Sequence, residues 1–283
     1  AQTLMKQADL ALYEAKDQGR NTVRFFNHVM QEAVSAQAAI LSGLRRALDR
    51  DEFVLHLQPQ FSAAGTRTGA EVLLRWCGEN DGQLISPDRF IPHAETSGLI
   101  VPIGEWVIDR SCAILAKWAS SRPGETLSVN VSARQFHQPE FVDVVAAALR
   151  RHGVDGSRLC LELTETAVLG DIDFAARTMA GLKTLGVQIS LDDFGTGFSS
   201  LSNLRRLPIS EVKIDRSFVQ EIARNEQDAS IVRAIISMCQ NLGMRVVAEG
   251  VETEVQRDFL VACRCDILQG YLLARPGPGD LPG

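Results

Sequence analysis

Acidic and amide side chains recur within or directly after short apolar runs along this sequence. They are Glu71, Asn130, Glu162, Asp192, Asp193, Glu249 and Gln269, and Lys213 lies inside a further run. Carboxylate and amide oxygens are the ligands that hard cations such as Mg²⁺ and Mn²⁺ prefer, whereas zinc favours nitrogen and sulfur. Two adjacent aspartates could ligate a pair of ions, with one carboxylate bridging, as in two-metal phosphoryl hydrolysis. Lys213 would then offset part of the negative charge and hold an attacking water.

Each of these positions also has a purely structural explanation when it is taken alone. A glutamate in a strand can face solvent, Asn130 can occupy a turn, and paired aspartates can cap a helix. The set as a whole is harder to explain in this way, because five or more carboxylates in one place repel one another and require protons or bound cations. Together they predict a cation-dependent site.

The elements that would position these residues alternate between strands and helices. Strand-like runs cover residues 53–57, 70–76, 127–131, 159–163, 187–191, 211–214, 245–248 and 266–268. Helical patterns cover residues 103–118, 141–152, 174–185, 218–241 and 254–262. This alternation predicts a β/α barrel, whose strands bring their carboxyl ends to one mouth. Residues 61–69 are too few for a helix, so the first two strands should pair antiparallel.

Composition and charge exclude several classes of protein. The chain has 283 residues, of which 45% are hydrophobic and 23% charged, as in an ordinary globular protein. The net charge is −6 and the basic residues form no run, so binding to a nucleic acid polymer is not expected. The longest stretch without charged residues, 53–66, is too short to span a bilayer, and we expect no membrane segment in this chain.

Other reactive residue types give weaker signals. Six cysteines without a C-x-x-C pair are typical of reduced thiols in a cytoplasmic protein, and the scattered histidines form no zinc-hydrolase or serine-triad motif. Asp193-Phe194-Gly195 matches the magnesium motif of kinases, but the other kinase motifs are missing from the sequence. Gly195 and Gly197 instead indicate a flexible loop beside the acids that could act as a gate.

Seven motifs, taken in order, resemble the EAL domain family of cyclic di-GMP phosphodiesterases. They are Glu71-Val72-Leu73-Leu74-Arg75-Trp76, Asn130-Val131-Ser132, Glu162-Leu163-Thr164-Glu165, Asp192-Asp193-Phe194-Gly195-Thr196-Gly197, Lys213-Ile214-Asp215, Ala248-Glu249-Gly250-Val251-Glu252 and Gln269-Gly270-Tyr271. The resemblance covers about residues 38–276. It implies a modified TIM (β/α)8 barrel with an antiparallel first strand pair, in agreement with the short first connection.

The resemblance also implies a role for each matching residue. Metal ligation falls to Glu71, Asn130, Glu162, Asp192 and Asp193, with two Mg²⁺ or Mn²⁺ ions per site. Lys213 and Glu249 would orient or deprotonate the attacking water. Gln269 would act where metal and substrate meet, and Gln58 and Arg75 would face the dinucleotide. Glu165 and Glu252 would hold the loop that contains Gly195 and Gly197 and would couple it to a homodimer contact.

The resemblance further divides the chain into segments. Residues 1–27 look like the carboxyl-terminal remnant of a GGDEF (diguanylate cyclase) domain, whose catalytic loop would lie upstream, so no cyclase activity is expected. Residues 28–50 form a linker or first helix, 51–276 the EAL barrel and 277–283 a tail. The first residues read as mid-protein sequence, so we expect a longer parent protein with upstream GGDEF and sensory domains, which a membrane anchor could accompany.

The leading hypothesis is a metal-dependent phosphodiesterase that opens cyclic di-GMP to linear pGpG in bacterial second-messenger signalling. The main alternative is a catalytically degenerate EAL module that binds cyclic di-GMP as a receptor. A purely structural or dimerisation module is a third reading, but it leaves the collected acids unexplained.

Overall fold

A computed structural model describes residues 25–78, 84–195 and 206–279, together with residues 5, 8, 12 and 23. For residues 28–34 it describes the backbone alone. The chain divides into two units, one of Ala1–Glu52 with Trp76–Leu99 and one of Phe53–Arg75 with Ile100–Gly283. The predicted GGDEF remnant falls almost wholly outside the described residues.

Within the described residues, eight strands form a closed barrel. They are β1 (Phe53–Ser62), β2 (Arg67–Cys77), β4 (Thr126–Asn130), β5 (Leu159–Thr164), β6 (Gln188–Phe194), β7 (Glu211–Ile214), β8 (Arg245–Ala248) and β9 (Ile267–Leu268), with β3 (Leu84–Ile85) and β10 (Gly277–Pro278) added at the margins. The barrel strands β2 and β4 through β9 are parallel to their neighbours in this order. Strand β1 is antiparallel to β9 and also pairs with β2. The predicted fold class is confirmed.

The first strand pair turns back through exposed residues 63–66. The Ser62 N–H donates to the Thr66 carbonyl at 2.8 Å, and Gly65 has a φ of +81°, a backbone conformation that glycine adopts easily. Because β1 runs against the other strands, this turn lies at the amino-terminal ends of the parallel strands. The turn therefore sits at the opposite end of the barrel from the mouth where the predicted site residues converge.

The described residues contain ten complete α-helices, of which those in the larger unit surround the barrel strands. In chain order they are α1 (His28–Asp49), α2 (Pro87–Ser97), α3 (Ile100–Ser121), α4 (Ala133–Phe136), α5 (Phe141–His152), α6 (Glu165–Leu169), α7 (Ile172–Thr184), α8 (Arg216–Glu221), α9 (Glu226–Asn241) and α10 (Glu254–Ala262). Of these, α1 and α2 belong to the smaller unit. None of the helices in the described part of the chain has both the length and the apolar character to cross a membrane.

The smaller unit packs around Trp76. Its indole lies edge-on to the fully buried Phe90, with 5.7 Å between the ring centroids, and its N–H donates to the Glu52 carboxylate at 3.2 Å. A Cβ on Gly43 of α1 would lie 2.7 Å from the Trp76 ring, so the close approach of this helix requires glycine.

Two sequence-based assignments change in kind in the structure, and the helices α2, α4 and α6 were not predicted. Residues 218–241 are not one helix but parts of α8 and α9, because Asn225 adopts an extended backbone and its side chain accepts a hydrogen bond from the Gln227 N–H, which starts a new helix. The predicted tail begins with a strand, since Gly277 and Pro278 pair with Leu57 and His56 of β1. Both features depend on local hydrogen bonds that apolar periodicity does not show.

Candidate active site

Lys213 lies at the centre of the carboxylates that the sequence singled out. Its Nζ is 2.6 Å from Glu249 Oε1, 2.7 Å from Glu162 Oε2, 3.4 Å from Asp192 Oδ1 and 3.6 Å from Glu71 Oε1. The lysine side chain is only 1% exposed. The acids come from β2, β5, β6 and the residue after β8, so the parallel strands of the barrel bring together groups that are far apart in sequence.

Glu71 is held at both of its carboxylate oxygens. Asn130, at the end of β4, donates from Nδ2 to Oε1 at 2.7 Å, and Gln269 donates from Nε2 to Oε2 at 2.6 Å. Burial raises the pKa of Glu71, but Lys213 and these two hydrogen bonds outweigh it, so the net pKa lies below the usual value. Glu71 is therefore kept ionised in a fixed orientation, as a metal ligand must be.

The cluster carries more negative charge than Lys213 can neutralise. Burial raises the pKa of Glu162 well above its usual value although Lys213 opposes this, and burial likewise raises the pKa of Glu249 to about 7. Burial lowers the pKa of Lys213, but the surrounding carboxylates, Glu162 first, outweigh it and hold the pKa well above its usual value. A proton or a cation would relieve this imbalance.

The end of β6 departs from regular strand geometry at the paired aspartates. The pairing of β6 with β7 shifts register between Leu191 and Phe194, and Asp193 has a φ of +56°, which is unusual for a residue with a side chain. The Asp193 N–H donates to Asp192 Oδ1 at 2.9 Å. Burial, followed by the charges of Asp192 and Asp215, raises the pKa of Asp193. Such strain is often found at functional sites, which is consistent with the role predicted for this pair.

Three glutamines form a buried chain of hydrogen bonds beside Glu71. Gln60 Nε2 donates to Gln269 Oε1 at 2.9 Å, and Gln269 Nε2 donates to Gln58 Oε1 at 3.1 Å. Gln58 Nε2 in turn donates to the Ala274 carbonyl at 3.3 Å. The sequence analysis did not single out Gln60. Its position two residues after Gln58 in the same strand places both side chains on one face of the sheet, and this spacing could have identified it.

A cavity of about 220 Å³ opens at this end of the barrel. Of the predicted site residues, it is lined by Gln58, Glu71, Asp192, Lys213, Glu249, Glu252 and Gln269. Residues that the sequence analysis did not assign also line it, namely Arg216, Gln220, Gly250, Gly270 and Tyr271. A larger cavity of about 570 Å³ lies at the opposite end, where Arg67, Arg245 and Asp266 lie at the starts of strands, and no predicted site residue lines it.

Six of the predicted site residues that the structure describes do not line this cavity, namely Asn130, Glu162, Asp193, Arg75, Glu165 and Gly195. The Arg75 guanidinium donates from Nη1 to the Leu74 carbonyl at 2.9 Å. Glu165 is buried in the first turn of α6, and its Oε2 has no hydrogen-bond partner among the described residues. Gly195 has a φ of +99°. Gly197 and the remainder of the predicted loop, residues 196–205, lie outside the described residues.

The donor set suits a hard divalent cation. It consists of carboxylate oxygens with one amide from Asn130, the cluster has a surplus of negative charge, and Glu162 Oε1 is buried without a hydrogen-bond partner among the described residues. In the part of the chain that the structure describes, no three acid, histidine or cysteine side chains already surround a common point as metal ligands do. The carboxylates converge on the Lys213 ammonium instead, so ion binding would require them to adjust.

Comparisons with known proteins agree with this architecture. The bifunctional diguanylate cyclase/cyclic di-GMP phosphodiesterase MucR of Pseudomonas aeruginosa is 47% identical over 279 residues, which cover 98% of this chain and 41% of that protein. The cyclic di-GMP phosphodiesterase NbdA of the same organism is 40% identical over 277 residues, covering 97% of this chain and 35% of that protein. This chain therefore spans about two-fifths or less of the length of these relatives.

Solved structures and family models lead to the same assignment. The PaMucR phosphodiesterase in complex with c-di-GMP superposes with a TM-score of 0.82 at 47% identity, covering 85% of this chain and 98% of that one. The family model of the EAL domain matches residues 42–276, which include every strand of the barrel. The chain belongs to the EAL domain family.

Proposed function

We propose that this chain hydrolyses cyclic di-GMP to linear pGpG in a metal-dependent reaction, as part of bacterial second-messenger signalling. The observation that carries the proposal is the buried cluster of Lys213 with four carboxylates at the mouth of the barrel. The relatives that are named as cyclic di-GMP phosphodiesterases support the enzyme class, and the complex of PaMucR with c-di-GMP supports the substrate.

Five residues would hold the metal in this proposal. They are Glu71, Asn130, Glu162, Asp192 and Asp193, and we propose two Mg²⁺ or Mn²⁺ ions per site. Bound ions would neutralise the charge that develops on the phosphodiester and make water a better nucleophile. The lowered pKa of Glu71 and the unpartnered Oε1 of Glu162 both favour such a role.

Glu249 and Lys213 would handle the water and its proton. A carboxyl group with a pKa of about 7 is well matched to accept a proton near neutral pH, and Glu249 has that value. Lys213 Nζ lies 2.6 Å from Glu249 Oε1, so the ammonium would orient both the carboxylate and the attacking water. Gln58, Arg75 and Gln269 would contact the dinucleotide.

The direct test is incubation of the purified protein with cyclic di-GMP in Mg²⁺, Mn²⁺ or EDTA, followed by chromatography for pGpG. We expect pGpG with either metal and none in EDTA. Glu71→Ala should lose most of the activity while its circular dichroism spectrum stays unchanged, whereas Glu226→Ala, at an exposed position on α9, should retain full activity. Normal turnover by Glu71→Ala with metal present would refute the assignment.

The same samples distinguish a phosphodiesterase from a module that only binds cyclic di-GMP as a receptor. A catalytically degenerate module would bind cyclic di-GMP, as calorimetry in EDTA or Ca²⁺ would show, without forming pGpG in Mg²⁺ or Mn²⁺. A purely structural module would bind no dinucleotide under either condition.

We further propose that activity depends on self-association in the cytoplasm. Residues 193–200, followed by 201–207, would act both as a gate beside Asp193 and as a homodimer contact. Gly195 and Gly197 would permit two states of this loop, and Glu165 and Glu252 would favour one of them. Sedimentation paired with activity over a dilution series tests this coupling. Constant specific activity through the dimer-to-monomer transition would contradict it. Upstream GGDEF and sensory domains in a longer parent protein are also part of this proposal.

A further inference from the structure

We infer that Gln60 is a positioning residue of the candidate active site. It acts through Gln269, whose amide it orients, and thereby fixes both Glu71 and Gln58. This inference rests on the proposed function, because Glu71 is taken as a metal ligand and Gln58 as a contact to the dinucleotide.

The hydrogen-bond directions explain why Gln269 needs this partner. An amide group has two N–H donors, and Gln269 uses its Nε2 for Glu71 Oε2 at 2.6 Å and for Gln58 Oε1 at 3.1 Å. Its carbonyl oxygen then requires a donor, and Gln60 Nε2 supplies it at 2.9 Å. Each of the two N–H donors and the carbonyl oxygen of Gln269 thus has its own partner, and the donors and acceptors all match in only this orientation of the amide.

A rotated Gln269 amide would break this arrangement. Exchange of its oxygen and nitrogen would turn Oε1 toward the Glu71 carboxylate and toward Gln58 Oε1, placing acceptor against acceptor at both contacts. Gln60 disfavours this state, because its Nε2 would then face the Nε2 of Gln269. The donor on Gln60 therefore helps to select the orientation in which Gln269 can serve both neighbours.

Burial makes the selection strong. Gln58 is 8% exposed, and Gln60 and Gln269 are each 3% exposed, so water has little access to replace a missing partner. A buried amide oxygen without a donor loses its hydrogen bond without compensation. Loss of the Gln60 amide would thus leave Gln269 free to tilt or rotate, and the orientations of Glu71 and Gln58 would loosen together.

The reversed first strand is what allows this contact. Phe61 of β1 pairs with Leu268 of β9, so Gln60 lies level with Gln269 where the chain leaves β9. The residue therefore reaches the mouth from the middle of a strand rather than from a strand end.

The test compares Gln60→Met with Gln269→Met and with the double variant. Methionine keeps about the same length and removes the amide. Gln188→Met is the control, because the Gln188 amide is likewise used in hydrogen bonds, donating to the Ser157 carbonyl at 2.5 Å and accepting from Arg245, but lies at the opposite end of the barrel. Three measurements are made on each protein: Mn²⁺ affinity by calorimetry without substrate, cyclic di-GMP affinity in EDTA, and steady-state kinetics in Mg²⁺ for kcat and KM.

We expect Gln60→Met to weaken both Mn²⁺ and cyclic di-GMP binding about tenfold, at the lower end of the effects of residues that support metal ligands. In the Gln269→Met background the same substitution should change either affinity less than about twofold, because the residue through which Gln60 acts is already gone. Gln188→Met should lower the melting temperature and leave both affinities unchanged. A role in packing alone would give additive losses in the double variant.

The outcomes separate this inference from the proposed function. If the wild type forms pGpG and a folded Gln60→Met binds Mn²⁺ and dinucleotide like the wild type, the positioning role is overturned and the phosphodiesterase stands. If the wild type binds both ligands but forms no pGpG, the affinities of Gln60→Met still decide the inference. If the wild type binds neither ligand, both conclusions are overturned.

Discussion

Replacement of Lys213 by methionine should destabilise the barrel strongly in the absence of divalent metal. The substitution removes the ammonium and keeps most of the side-chain length. It leaves four carboxylates, which lie within 3.6 Å of Nζ in the native protein, without their shared counterion. Their mutual repulsion then acts in a place that water hardly reaches, since the lysine is 1% exposed.

Removal of one partner from a buried ion pair costs about 3–5 kcal/mol in free energy of unfolding. For a chain of this length each kcal/mol corresponds to a change of about 2–4 °C in melting temperature, so we expect a fall on the order of 10 °C. A second substitution, Glu162→Gln, should recover about 1–3 kcal/mol in the Lys213→Met background, because it removes one of the unpaired charges.

The assay is urea and thermal unfolding in EDTA, followed by circular dichroism, for the wild type, Lys213→Met and the double variant. Lys183→Met is the control, because Lys183 is exposed on α7 and its loss should change the stability by less than about 0.5 kcal/mol. A Lys213→Met protein that melts within about 2 °C of the wild type would refute the view that the ammonium holds the carboxylates together. A Glu162→Gln substitution that further destabilises Lys213→Met would refute it as well.

Three further substitutions test individual contacts. Burial raises the pKa of Glu211 above its usual 4.5, and the Arg245 guanidinium at 3.1 Å only partly opposes this. A carboxyl group with a raised pKa contributes less to the stability of the fold as the pH rises from 4.5 through the folded pKa. Glutamine does not titrate, so the urea midpoint of Glu211→Gln should rise relative to that of the wild type over this pH range. Gly270→Ala should lose about 1–3 kcal/mol, because its Cβ would lie 2.1 Å from the Val251 carbonyl oxygen; an unchanged melting temperature would contradict this. Arg158→Lys should lose about 1–3 kcal/mol, since its guanidinium donates to three backbone carbonyls and an ammonium cannot reach all of them; full stability would argue against that role.

Elements with strong local patterns were predictable from the sequence. The runs at 211–214 and 245–248 and the helical patterns at 141–152 and 254–262 have the same bounds in the structure. In each case apolar periodicity coincides with clear boundaries, such as the Thr253 side chain that caps α10. The antiparallel first pair was also predictable, because loop length alone excludes a crossover helix.

The candidate site was predictable in membership but not in arrangement. The tendency of polar groups to lie within or just after strands identified Glu71, Glu162 and Glu249 and placed Lys213 with them. It could not give the distances between Lys213 and each carboxylate, since these depend on the tilt and stagger of the barrel strands. The same reasoning did not identify Gln60. Because β1 runs in the opposite direction, the residues of β1 that lie at the mouth of the barrel are not those at its carboxyl end. The predicted roles of Arg75 and the loop glycines stay predictions.

The reversal of β1 has a practical consequence for the turn at residues 63–66. This turn is exposed and lies at the end of the barrel opposite the candidate active site. A side chain at Gly65 would have no other atom within 4 Å. A short epitope or a fluorophore-labelled peptide inserted there would extend the turn between β1 and β2 and would not touch the side chains that surround Lys213. The protein thus offers an attachment point from which surface immobilisation or single-molecule tracking could proceed without altering the candidate site.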